Sequence, residues 1–155
     1  MTDESSRQSD SSHGVHGANA GADAVGSVEF WEDFYRDNGP WTGNPNAALV
    51  AELGERPLNA GSALDLACGT GGDAVWLAGQ GWTVTGVDIS QSALNQAAAS
   101  ASAAGIGTGI HWRQYDLDTD FPDGTWDLVN VAYLHSPVAL SRERILRRAA
   151  SAVAP

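Results

Sequence analysis

The chemistry open to this chain is concentrated between Leu64 and Ala74, where the sequence reads LDLACGTGGDA. Asp65 interrupts an apolar run, Gly69, Gly71 and Gly72 follow it, and Asp73 opens the next segment. Glycines permit positive φ and let a ligand lie directly against the backbone. The next apolar run, VTGVD, ends in Asp88. An acidic residue about 20 positions beyond the first glycine, at the end of a second strand, is placed to accept hydrogen bonds from a ribose.

Two ligand classes use such a unit. Gly69, Gly71 and Ala74 satisfy the G-x-G-x-x-G/A fingerprint of dinucleotide binding, so a nicotinamide oxidoreductase stays open on pattern alone. A pyrophosphate, however, sits on a helix N-terminus because exposed N–H groups and the dipole favour anions, and Asp73 puts negative charge there. Asp65 adds a second carboxylate. This charge pattern suits a cationic ligand such as S-adenosylmethionine better than a diphosphate.

Positioning these residues takes a βαβ unit. Ala63 to Ala67 reads as a strand buried on both faces, Asp73 as the cap of a helix from Ala74 to Gln80, and Trp82 to Val87 as the second strand. Upstream, Ser27–Asp37 and Asn46–Leu53 have helical apolar spacing, separated by Gly39-Pro40. Downstream, Ser90 caps a helix reaching Ala104, ended by Gly105 and Gly107, and Ile110–Gln114 is strand three. Pro122, Asp123 and Gly124 form a turn, Asp127–Leu134 is strand four, and Ser141 opens the last helix. The sum is an α/β fold, a Rossmann-like open, mostly parallel sheet in a three-layer αβα arrangement.

Composition narrows the partners. The 155 residues, 43% hydrophobic, suffice for one domain. Residues 1–27 carry almost no large apolar side chain and read as a disordered tail ahead of a domain at 28–155; metal binding by His13 and His16 within it is not expected. Neither a signal sequence nor a membrane-spanning apolar run is seen, and the lone Cys68 allows no internal disulfide, so a cytoplasmic protein is expected. Cys68 itself reads as a small packing residue rather than a nucleophile. The net charge is -11 and lysine is absent. Four arginines, Arg142, Arg144, Arg147 and Arg148, share one helix whose apolar stripe of Ile145, Leu146, Ala149 and Val153 marks it as a solvated face, so no nucleic-acid partner is expected. The oligomeric state is left open.

The segments LDLACGTGG, VTGVDIS (84–90), YDLDTDFPDGTWDLVNVAYLH (115–135) and the terminal AVAP together resemble the ordered motifs of class I S-adenosylmethionine-dependent methyltransferases over about residues 28–155. WTGNPN (41–46) is similar to the N-terminal segment of their small-molecule branch, the tellurite-resistance and thiopurine methyltransferase-like proteins. One departure is Ala67, where that family usually has glycine. The resemblance implies methyl transfer to a small molecule, with the backbone around Ala67, Gly69 and Gly71 wrapping the methionine part of the cofactor and Asp65 turned toward its amino group. It further implies Asp88 on the ribose hydroxyls, Ile89 packed on the adenine, Asp116 and the Leu117 N–H on the adenine edge, and Asn130, Tyr133 and His135 facing the transferred methyl group. Tyr133 and His135 are the candidate catalytic residues, serving a hydroxyl or amine acceptor; sulfur or selenium needs no base. Trp41 and the aromatic first helix are placed to form a lid or to pack in the core.

Against the same family the chain stops short of the last strands, which predicts a fragment or an exposed apolar edge at strand four. A cofactor-binding module without turnover is therefore a second reading, and the oxidoreductase a third. Asp116, Asp118, Asp120 and Asp127 match acidic positions of a calcium loop, but Phe121 stands where that loop needs glycine, so no metal is expected. Asp118 and Asp120 are expected in a solvated loop.

Overall fold

The computed structural model describes residues 26–40 and 42–155, so the tail with His13 and His16, and Trp41, lie outside the described residues. Two helices come first, α1 (Ser27–Asn38) and α2 (Ala47–Glu55). They are followed by β1 (Ser62–Leu66), α3 (Gly72–Gly79), β2 (Thr83–Asp88), α4 (Gln91–Ala103), β3 (Ile110–Gln114), β4 (Leu128–Val131) and α5 (Arg142–Ser151). All strands are parallel, in the order β3-β2-β1-β4. The chain thus winds outward from β1 through β2 and β3, then crosses to the other side of β1. This is the expected open α/β sheet, and its reversal between β1 and β4 opens a crevice at the carboxyl ends of the strands.

Alternation along β1 feeds two apolar layers. Ala63 packs in one cluster with Ala74 and Leu77 of α3 and Ala101 of α4. Leu64 and Leu66 pack in the other, with Ile145 and Ala149 of α5. Both leucines are fully buried, each contributing about 1.5–3 kcal/mol. Helices therefore cover both faces. Among the described residues β4 has β1 as its only strand partner, and all four of its residues are partly exposed.

Local signals set several boundaries. The Asn46 side chain accepts the Ala48 N–H (2.8 Å) at the start of α2, and Ser90 accepts the Ala93 N–H (3.1 Å) at the start of α4. Other expectations are corrected. Asp73 is not the cap of α3 but lies within its first turn: the helix begins two residues before the expected Ala74, at Gly72, with Gly71 in the cap position and no side-chain cap. The fourth strand is half the expected length, because Tyr133 adopts φ 55 and turns the chain out of the sheet. Asp118 is not simply solvated: its carboxylate accepts the Ser141 N–H (2.8 Å) and pairs with Arg144 (3.3 Å), fastening the loop after β3 to α5.

Candidate functional site

The crevice is built on the turn from β1 to α3. Ala67, Gly69 and Gly71 have φ of 53, 53 and 83°, a left-handed geometry that is costly for alanine. At Gly69 a Cβ would stand 2.9 Å from the Tyr35 hydroxyl, so only glycine admits α1 this close. At Gly71 a Cβ would meet Ala97 and the Trp112 ring at 2.8 Å. Gly71 therefore serves the packing of turn against helix and sheet; it does not line the cavity.

Three carboxylates surround this turn. Strand register pairs Asp65 with Asn130, and the Asn130 amide donates to Asp65 Oδ1 (2.8 Å) and to Asp73 Oδ2 (2.9 Å). Asp73 Oδ1 also accepts the Asn46 N–H (2.5 Å), which ties the segment before α2 to the turn. Asp88 accepts the Gly69 N–H (2.8 Å) and the Ser90 N–H (3.0 Å), holding the turn to the end of β2. Asp65 Oδ2 is buried with no hydrogen-bond partner. Burial, reinforced by Asp73 and Asp88 and opposed by hydrogen bonds from the Asn130 amide and the Ala74 N–H, pushes the Asp65 carboxyl up to about 7. Burial also raises Asp88, although the Ser90 and Gly69 N–H groups pull against it. Desolvation, with Asp88 and Asp65 nearby, keeps the Cys68 thiol protonated far above its usual range, consistent with packing and not nucleophilic use.

The cavity has two adjoining lobes that share Trp31, Tyr35, Ala67, Tyr133 and His135. One is lined by Asp65, Cys68, Gly69, Asp73 and residues 42–47, with a volume of about 660 Å³, within the range of small-molecule sites. The other holds Asp88, Ile89, Tyr115, Asp116, Leu117 and Asp118. The fold thus gathers Asp65, Ala67, Gly69, Asp88, Ile89, Asp116, Leu117, Tyr133 and His135 around one space. Asn130 stands behind it as the bridge between Asp65 and Asp73.

Trp31 and Tyr35 line both lobes, which locates α1 at the site. Glu32 accepts N–H groups of Gln91 and Ser92, and the Gln96 amide donates to the Tyr35 carbonyl (2.8 Å), so α1 is clamped onto α4. Tyr115 was not singled out from sequence; its place just past β3, at the carboxyl end of the sheet, was the available signal. At the mouth, Tyr133 is 72% exposed and His135 Nδ1 lies 3.2 Å from Arg142 Nη2. A guanidinium only donates, so in this contact Nδ1 is the acceptor.

Comparisons with known proteins agree with this geometry. Residues 63–155 match the family described as "Methyltransferase domain". A solved structure reported as "Conversion of a Disulfide Bond into a Thioacetal Group during Echinomycin Biosynthesis" is 34% identical with a TM-score of 0.66, over 81% of this chain and 53% of that one. Another, "DhpI-SAM-HEP complex", is 30% identical with a TM-score of 0.54, over 81% of this chain and 56% of that one. A 58-residue stretch is 44% identical to "Ribosomal RNA small subunit methyltransferase C" of Alcanivorax borkumensis (strain ATCC 700651 / DSM 11573 / NCIMB 13689 / SK2), covering 37% of this chain and 18% of that protein. The chain spans about half the length of the solved structures it resembles.

Proposed function

Because the chain belongs to the methyltransferase-domain family, we propose that it is an S-adenosylmethionine-dependent methyltransferase acting on a small-molecule acceptor. One observation carries this reading: Asp65 Oδ2 is a buried, unpartnered carboxylate oxygen in a residue that lines the cavity beside the glycine turn. Such an atom costs about 1–3 kcal/mol while unpaired and is satisfied by a cationic donor. A diphosphate on this turn would instead face Asp65 and Asp73, which removes support from the nicotinamide reading.

S-adenosylmethionine, when bound, supplies an electrophilic methyl group on a sulfonium sulfur. In this proposal Asp65 receives its amino group, with Asn130 holding the carboxylate from behind. The backbone at Ala67 and Gly69 lies along the methionine portion, Asp88 takes the ribose, and Ile89, Asp116 and Leu117 take the adenine. The protein's task is then to align an acceptor with the methyl carbon at about 3–3.5 Å and to exclude water. Tyr133 and His135 stand at the acceptor side.

Placement in the tellurite-resistance and thiopurine-like branch rests on residues 41–46, of which 42–46 line the cavity. Against an RNA acceptor, Arg144 is paired with Asp118, Arg147 with Glu143, and Arg148 lies over the Phe121 ring at 4.9 Å. A polyanion needs a free basic footprint. Formation of S-adenosylhomocysteine by the full chain, with a panel of small thiols, amines and carboxylic acids, tests the proposal. Turnover with a small molecule, reduced at least tenfold by Asp88→Ala, supports it; turnover with RNA alone, or none with any acceptor from folded protein, overturns it.

A further inference from the structure

The four arginines of α5 are not equivalent. Three are engaged within the fold, by Asp118, Glu143 and the Phe121 ring. Arg142, the first residue of the helix, has no carboxylate partner among the described residues; its recorded side-chain contact is with the His135 ring. His135 lines both lobes of the cavity. Arg142 itself lines neither lobe, but through this contact its solvent-exposed guanidinium stands beside the mouth of a cavity whose lining charges are carboxylates. The ring contact orients that guanidinium with no carboxylate among the described residues to neutralise it, leaving its remaining N–H groups for a ligand.

We infer that Arg142, oriented by His135, recognises an anionic group of the methyl acceptor, a carboxylate or a phosphate-type oxyanion. The inference rests on the methyltransferase reading and deepens it by naming the substrate class. The charges divide accordingly: the carboxylates around the glycine turn take the cationic end of the methyl donor, and the guanidinium left without a carboxylate partner takes the anionic acceptor. Bidentate geometry fits both oxyanions. Tyr133, exposed and in a left-handed conformation beside His135, flanks the entrance through which such an acceptor passes.

Methylphosphonate is the probe, with methylammonium as the charge control, added to the full chain with and without S-adenosylhomocysteine. The readout is the ring nitrogen spectrum of His135, assigned by its loss in His135→Gln. Methylphosphonate is expected to shift the His135 signals saturably; Arg142→Gln weakens that response at least fivefold, Arg142→Lys restores part of it, and methylammonium gives none. S-adenosylhomocysteine affinity stays within twofold in Arg142→Gln. No saturable shift while S-adenosylhomocysteine binds overturns the inference and leaves the cofactor reading standing. A tenfold loss of S-adenosylhomocysteine affinity in Arg142→Gln also overturns it, by assigning the guanidinium to the cofactor's own carboxylate. Failure of S-adenosylhomocysteine to bind folded wild-type protein removes the cofactor reading itself, and the acceptor assignment falls with it.

Discussion

Replacing Asp65 by Asn should make the empty protein more stable at alkaline pH while destroying its cofactor site. Asparagine is isosteric, keeps the oxygen that accepts from Asn130, and cannot ionise. In the wild type the folded-state carboxyl titrates near 7, against 3.8 for the free group. Between those values the folded protein holds a proton that the unfolded chain has released. Wild-type stability therefore falls as pH rises toward 7 and levels off above it. From pH 5 to 7 that is two pH units, or about 3 kcal/mol. The variant lacks this loss, and titrating groups that do not interact with Asp65 cancel in the difference between the two proteins. Its buried amide N–H groups cost about 1–3 kcal/mol at every pH. The melting-temperature gap, variant minus wild type, should then grow by roughly 6–12 °C between pH 5 and pH 8. Scanning calorimetry at both pH values measures it. A gap that does not change with pH would refute the idea that Asp65 is a strained, unpaired carboxylate. The same variant should bind S-adenosylmethionine at least tenfold more weakly, since a charge-assisted hydrogen bond is worth about 1.5–3 kcal/mol.

Further consequences follow from the same network. S-adenosylmethionine affinity should fall by up to tenfold per unit as pH drops below about 7, because the cation must displace the Asp65 proton; a calorimetric Kd that is flat from pH 5.5 to 7.5 would count against it. Asn130→Ala leaves two carboxylates without their shared donor and should cost about 2–4 kcal/mol in urea unfolding; an unchanged midpoint would show that the bridge is unimportant. Gly71→Ala forces a Cβ to 2.8 Å from Ala97 and Trp112 at φ 83°. It should lose about 2–4 kcal/mol by the same measurement, with a small loss indicating that the turn relaxes.

What the sequence made legible was what local chemistry determines. β3 falls on Ile110–Gln114 as read, and Ser90 caps α4, because β-branching and capping act within a few residues. The glycine turn and Asp88 were legible for the same reason, as was the sheet they imply. Asp73 was misread because its partners lie 27 and 57 residues away, where Asn46 and Asn130 outcompete a local capping role. Strand four was overextended because nothing in VAYL announces the left-handed Tyr133. The packing role of Gly71 was not legible, because it depends on Trp112 arriving from β3, distant in sequence. The likelihood of Arg142 and His135 meeting was equally hidden, since a turn of unknown shape separates them.

The central claim is that the carboxylates around the β1–α3 turn receive a cationic methyl donor. Calorimetric titration of the folded full chain with S-adenosylmethionine and, separately, with NAD tests it most directly. Saturable binding of one S-adenosylmethionine per chain, with no binding of NAD, is the predicted result; saturable NAD binding without S-adenosylmethionine binding would contradict the account.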